Sequence, residues 1–96
     1  MALSPNDLKE HLAAFMAGGA YMAFWRPVMD ATEVVDSDPL WSDADRAWYC
    51  ELYDLVYMGG EDPVTAGERR DGITGASDLR KRIHELGLDS SAARPA

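Results

Sequence analysis

The sequence predicts an all-α fold, a compact antiparallel four-helix bundle. Apolar residues recur every three or four positions in four separate stretches, and glycines or prolines lie between these stretches. No stretch shows the alternation of apolar and polar residues that a half-buried strand requires. With 96 residues, 47% of them apolar, the chain can bury one core. We therefore expect a single domain over residues 1–87 and a disordered tail over residues 88–96.

The first helix is predicted over residues 5–17. Ser4 is a suitable N-cap, and Pro5 takes the first helical position, where the missing N–H is tolerated. Apolar side chains at helical spacing follow until the pair Gly18–Gly19 ends the helix. Because the following turn is short, this helix should pack antiparallel against the next one.

The second helix is predicted over residues 20–35, where apolar residues again recur at helical spacing. Pro27 lies inside this range, removes one backbone hydrogen bond and clashes with the preceding turn. We therefore expect a kink or a late start of the helix. The pair Asp38–Pro39 cannot continue it, because proline pushes the preceding residue out of the α region.

The third helix is predicted over residues 43–58. Ser42 and Asp45 form a capping box in which Asp takes the place of the commoner Glu, and Gly59–Gly60 ends the helix. At 100° per residue, its core side comprises Ala44, Trp48, Leu52, Leu55 and Val56. Its outer side comprises Asp43, Cys50, Asp54 and Tyr57, flanked by Arg46, Glu51 and Tyr53.

The fourth helix is predicted over residues 75–86, after a long loop that is rich in turn residues. Thr74 is its expected N-cap, and Gly87 ends it. The apolar stripe of this helix comprises Ala76, Leu79, Ile83 and Leu86.

Few residues suggest catalysis or metal binding. The two histidines, His11 and His84, have no nucleophile or carboxylate at a spacing that defines a known site. The single cysteine, Cys50, can form neither an internal disulfide nor a cysteine zinc cluster. Asp36 and Asp38 begin like a calcium loop, but no central glycine or closing glutamate follows. We expect no enzymatic activity, no metal and no cofactor.

The sequence also predicts a cytoplasmic protein. Its longest apolar run, Ala20 to Trp25, is far shorter than the roughly 20 residues that a membrane span needs. No basic start followed by an apolar block suggests a signal peptide.

Negative charge is concentrated in one part of the chain. Residues 30–62 hold ten acids and one base, a net charge of −9, whereas the whole chain has a net charge of −8. Such a field repels nucleic acid and anionic membranes and attracts basic surfaces. An ordinary solvated helix face is the alternative, with Asp43 and Asp45 favouring the N-terminus of the third helix.

Aromatic residues lie among these acids and suit an arginine- or lysine-rich partner through charge-assisted hydrogen bonds and cation–π contacts. Trp41 either packs at the edge of the core or stands exposed as an interface anchor. Tyrosine is enriched at interfaces. The predicted partner-binding residues are Asp36, Asp38, Trp41, Asp43, Asp45, Glu51, Tyr53, Asp54 and Tyr57.

Three passages share features with a known family. They are LAAFMAGGAYMAFW, two helices around a short turn; ELYDLVYMGGEDP, an acidic and aromatic helix that ends in an aspartate-proline loop; and GITGASDLRKRIHEL, a final helix after a glycine-containing turn. Over about residues 8–87 the chain resembles the colicin D-type immunity proteins, the bacterial self-protective colicin-like immunity family. The resemblance implies an antiparallel four-helix bundle that covers the active site of a tRNA-cleaving toxin domain, with acids in place of tRNA phosphates. It assigns no individual acidic position, and Pro27 departs from the family pattern.

These observations lead to one main hypothesis and two alternatives. The main hypothesis is an immunity protein, monomeric or weakly dimeric when free, that inhibits a basic nuclease toxin domain. The first alternative is a phage or plasmid protein that imitates DNA and blocks another basic machine, such as a CRISPR effector or a restriction enzyme. The second is a helical module that dimerises through exposed aromatic residues.

Overall fold

A computed structural model describes residues 3–57 and 73–89 of the chain. Within these residues every regular element is an α-helix, and the helices pack around one hydrophobic core. The predicted all-α, four-helix fold is confirmed. The helices are α1 (Pro5–Met16), α2 (Tyr21–Ala31), α3 (Asp43–Tyr57) and α4 (Ile73–Glu85).

Helix α1 begins as the sequence predicts. The Ser4 hydroxyl accepts a hydrogen bond from the Asp7 backbone N–H at 3.2 Å, and the Asp7 carboxylate accepts one from the Ser4 N–H at 3.1 Å. The hydrogen bond from the Ser4 backbone lowers the pKa of Asp7, because it favours the charged carboxylate. Pro5 occupies the first turn. The reciprocal bonds satisfy two backbone donors that would otherwise lack partners.

The turn between α1 and α2 requires both of its glycines. Gly18 has a φ of +117°, which side chains with a Cβ rarely adopt. A Cβ on Gly19 would lie 2.9 Å from the carbonyl oxygen of Ala14. Arg80 of α4 donates hydrogen bonds at 2.8 Å to the carbonyls of Phe15 and Gly19. The turn is therefore fixed both by its own backbone and by the last helix.

Helix α2 differs from its prediction at the C-terminal end. Pro27 lies buried inside the helix and does not delay its start, which is at Tyr21. The helix ends at Ala31 instead of residue 35, and turns follow over residues 32–37. The physical reason is that the Val28 carbonyl has a partner from another helix. It accepts a hydrogen bond from the Tyr49 hydroxyl at 2.7 Å, and the Thr32 N–H donates to the Met29 carbonyl instead of to Val28.

Helix α3 begins at Asp43 as predicted, and its predicted end at residue 58 lies outside the described residues. Its buried side differs from the prediction at two positions. Ala44 is exposed, whereas Tyr49 is buried and supports α2. The core thus lies closer to the tyrosine side of α3 than the apolar pattern indicates.

Helix α4 begins two residues earlier than predicted, so Thr74 lies inside the helix and is not its N-cap. Leu86 was expected in the apolar stripe but is 50% exposed. Gly87, with a φ of +73°, ends the helix and redirects the chain. Leu88 then enters the core, and its carbonyl accepts a hydrogen bond from the indole N–H of Trp48 at 2.9 Å. Leu88 and Asp89, which the prediction placed in the tail, are among the described residues, and residues 90–96 lie outside the described part.

Candidate protein-binding surface

An open groove of about 250 Å³ lies between α3 and the turns that follow α2. The turns contribute one wall and successive turns of α3 contribute the other. The groove is lined by Thr32, Val35, Asp36, Arg46, Tyr49, Cys50, Tyr53 and Asp54.

The groove brings together three of the predicted partner-binding residues, Asp36, Tyr53 and Asp54. Both carboxylates are exposed. Within residues 3–57 and 73–89, neither has a hydrogen-bond or ion-pair partner. Two negative charges from different elements therefore line one concave surface, and neither has an ion-pair partner among the described residues.

Three tyrosines form a ladder along α3 at intervals of four residues. The ring centroids of Tyr49 and Tyr53 lie 5.8 Å apart, and those of Tyr53 and Tyr57 lie 4.6 Å apart. Burial raises the pKa of Tyr49 far above its usual range. Burial also raises the pKa of Tyr53, as does its hydrogen bond with Tyr57. The aromatic side of the groove is therefore uncharged at neutral pH.

Arg46 forms part of the groove but is already committed to partners. Its Nε donates to the Val35 carbonyl at 2.9 Å, and its Nη1 lies 2.7 Å from the Asp43 carboxylate. This side chain ties the turns after α2 to α3. It also means that Asp43, although its side chain is fully exposed, has an internal counter-charge.

Asp45 faces away from the groove. Its carboxylate lies 3.3 Å from Lys9 of α1, and both side chains are largely buried, with 16% and 14% exposure. Lys9 also lies 5.8 Å from the ring centroid of Trp48. The Ser42 hydroxyl accepts from the Asp45 N–H at 3.1 Å, which confirms Ser42 as the N-cap. Asp45 therefore has partners inside the molecule and lies outside the groove lining, and its role in partner binding stays a prediction.

Trp41 is a core residue, not an exposed anchor. Its side chain is 1% exposed, and its indole N–H donates to the Leu3 carbonyl at 3.0 Å. Its ring packs edge-on against Tyr49 with centroids 5.8 Å apart. Its neighbour Leu40, which is not among the predicted partner-binding residues, is 66% exposed.

Two further predicted acids lie outside the groove lining. Asp38 is half-buried, and its carboxylate accepts a hydrogen bond from the Leu40 N–H at 2.9 Å. Glu51 is exposed on α3, about 60° around the helix from Asp54 and about 160° from Tyr53, and it does not line the groove. The nine predicted residues therefore do not form one surface: Asp36, Tyr53 and Asp54 meet, with Tyr57 next to Tyr53.

Sequence reasoning missed the groove itself. The predicted second helix includes Thr32 and Val35, whereas both residues belong to the turns that form one wall. Arg46 was placed beside the acids, but its bond to the Val35 carbonyl depends on a turn that the apolar pattern did not indicate. The only available signal was the exposed side of α3, on which Cys50 and Asp54 were correctly placed.

Comparisons with protein-family models, curated proteins and solved structures find no match to this chain. Among the described helices, none has the length and apolar character needed to cross a membrane. In the same residues, no group of three or more His, Cys, Asp or Glu side chains could hold a metal ion.

Proposed function

We propose that this protein is a non-catalytic inhibitor whose acidic groove face binds a basic protein. The supporting observation is the pair Asp36 and Asp54, which line one groove beside the Tyr53 ring and form no ion pair with the described part of the chain. Carboxylates that lack internal partners favour a partner that brings positive charge.

A nucleic-acid-cleaving enzyme suits this surface as the partner. Its cleft has to be basic, because phosphate contacts supply much of the affinity for nucleic acid. An inhibitor with carboxylates on an aromatic-rich face would match the same cationic side chains. The resemblance to colicin D-type immunity proteins agrees with this chemistry and would make the partner a tRNA-cleaving toxin domain.

Two internal ion pairs neutralise two of the predicted acids, but other exposed acids keep the proposed surface negatively charged. Lys9 and Arg46 neutralise Asp45 and Asp43, respectively. No such partner among the described residues pairs with the exposed acids Asp36, Glu51 and Asp54.

The homodimer alternative is weakened, because Trp41, one of the aromatic residues that would form the dimer interface, is buried.

Association kinetics with the nuclease domain of a colicin D-type toxin test the proposal. We expect the association rate constant to fall at least tenfold between about 10 and 150 mM NaCl, because screening shortens the range of attraction. Asp36→Lys combined with Asp54→Lys should slow association further. The matched control is Glu10→Lys combined with Glu85→Lys, which changes net charge equally at exposed positions on α1 and α4.

A rate constant that is independent of salt would contradict the proposal. So would equal slowing by the two double variants, since that result would assign the effect to net charge and not to the groove face. Circular dichroism of both variants should show unchanged helical content, which separates a binding defect from a folding defect.

A further inference from the structure

We infer that the groove is a receptor for one arginine side chain of the basic partner. This inference rests on the proposed function and makes it more specific, because it names the group that the groove recognises. It follows from the arrangement of apolar, aromatic and charged side chains around the groove.

The groove is lined by apolar and aromatic side chains and by two carboxylates. Val35, Cys50 and the rings of Tyr49 and Tyr53 provide apolar surface for an aliphatic stem. Asp36 on the turns and Asp54 on α3 provide carboxylates on two separate elements. A planar cation that enters the groove can donate hydrogen bonds to carboxylates while its stem lies on apolar side chains.

Arginine fits this arrangement better than lysine. Its guanidinium has five donors in a rigid plane, so it can bond to more than one acceptor and stack on an aromatic face. It is also more weakly hydrated than an ammonium group, which lowers the free-energy cost of entering a partly apolar groove. Tyr53 supplies a neutral ring at the groove wall for such stacking.

The resident Arg46 does not cancel the attraction. Its guanidinium is paired with Asp43 at 2.7 Å, and its Nε is bonded to the Val35 carbonyl. The pair of Arg46 and Asp43 is therefore neutral in sum. Asp36 and Asp54 remain as two negative charges at the groove, enough to attract one guanidinium and retain a net negative field.

A titration with short blocked peptides tests the inference. The probes are two tripeptides with capped ends, glycine-arginine-glycine and glycine-lysine-glycine, added to ¹⁵N-labelled protein at about 10 mM NaCl. We expect saturable shifts of the Cys50, Tyr53 and Asp54 amides, with the arginine peptide binding at least fivefold more tightly. Because Cys50 is the only cysteine and is exposed, the arginine peptide should also slow its alkylation.

Single neutralising variants provide the matched comparison. Asp36→Asn and Asp54→Asn should each weaken binding of the arginine peptide about tenfold, since each removes a charge-assisted hydrogen bond. Glu33→Gln removes an exposed acid that does not line the groove and should leave the affinity within twofold. Equal binding of both peptides, or equal loss in all three variants, would overturn the inference.

The experiment also separates this inference from the proposed function. If the toxin nuclease binds with the expected salt dependence but the arginine peptide does not shift groove residues, the arginine receptor is wrong and the proposed function stands. If the peptide occupies the groove but no nuclease domain binds, the inhibitor function is wrong while the receptor stands. Failure of both measurements rejects both.

Discussion

Two adjacent residues in the turn before α3 have opposite environments. Leu40 is 66% exposed, whereas Trp41 is 1% exposed and fills the core beside Tyr49. Hydrogen bonds fix this turn: the Leu40 N–H donates to the Asp38 carboxylate, and the Trp41 N–H donates to the Asp38 carbonyl. Side-chain size alone therefore gives little indication of which residue a partner can reach.

Substitution of these two neighbours should have very different effects on stability. Trp41→Ala should lower the free energy of unfolding by about 3–5 kcal/mol, because it leaves a cavity and an unpaired Leu3 carbonyl. Leu40→Ala should change it by no more than about 0.5 kcal/mol. Urea denaturation followed by circular dichroism measures both values. Similar values for the two variants would contradict the burial of Trp41.

At the level of single residues, only part of the site could be predicted from the sequence. Helical periodicity correctly placed Cys50 and Asp54 on the outer side of α3, because exposure along a helix depends on local spacing. The orientation of Asp45 towards Lys9 depends on how α1 packs against α3, across 36 positions in the chain. Tyr49 can be buried without leaving its hydroxyl unpaired, because that hydroxyl donates to the Val28 carbonyl. No local pattern indicates such long-range partners.

Among the helices, the starts of α1 and α3 and the turn after α1 were more predictable than the start of α4 or the end of α2. Ser4 and Ser42 cap their own helices through bonds to residues three positions away, and Gly18 ends α1 through its own backbone conformation. These are local causes that the sequence displays directly. The end of α2 involves the hydroxyl of Tyr49, which belongs to another helix.

Arg80 is the main polar link from α4 to the α1–α2 turn. It bonds two backbone carbonyls, and its guanidinium carbon lies 4.6 Å from the Phe15 ring centroid. Arg80→Ala should lower the free energy of unfolding by about 2–3 kcal/mol, because two carbonyls lose a charged donor. Arg80→Lys should recover only part of this loss, since lysine lacks the planar fork.

Arg82 on the same helix provides the control for Arg80. Its side chain is exposed, so Arg82→Ala should change the free energy of unfolding by no more than about 0.5 kcal/mol. Denaturant titration of the three variants makes the comparison. Equal effects of the two alanine substitutions would mean that the bonds from Arg80 to the turn contribute nothing measurable.

For the whole molecule, the concentration of acids poses a conflict between stability and binding. A net charge of −9 within residues 30–62 produces self-repulsion that only Lys9 and Arg46 relieve through ion pairs to Asp45 and Asp43 in the described part. Acids without such a partner therefore favour binding of a basic protein while adding repulsion to the folded state. Functional surfaces commonly have this cost.

Because of this conflict, replacing Asp by Asn should change the Tm in opposite directions at two positions of α3. Asp54→Asn removes an acid without a partner among the described residues and should raise the Tm by roughly 1–3 °C at 10 mM NaCl. Asp45→Asn breaks the largely buried pair with Lys9 and should lower the Tm by several degrees. Only Asp54→Asn should weaken binding to the toxin nuclease.

At about 150 mM NaCl the increase in Tm from Asp54→Asn should shrink, because screening already reduces the repulsion. A lower Tm for Asp54→Asn would instead show that this carboxylate stabilises the fold, and the groove would lose its clearest functional residue.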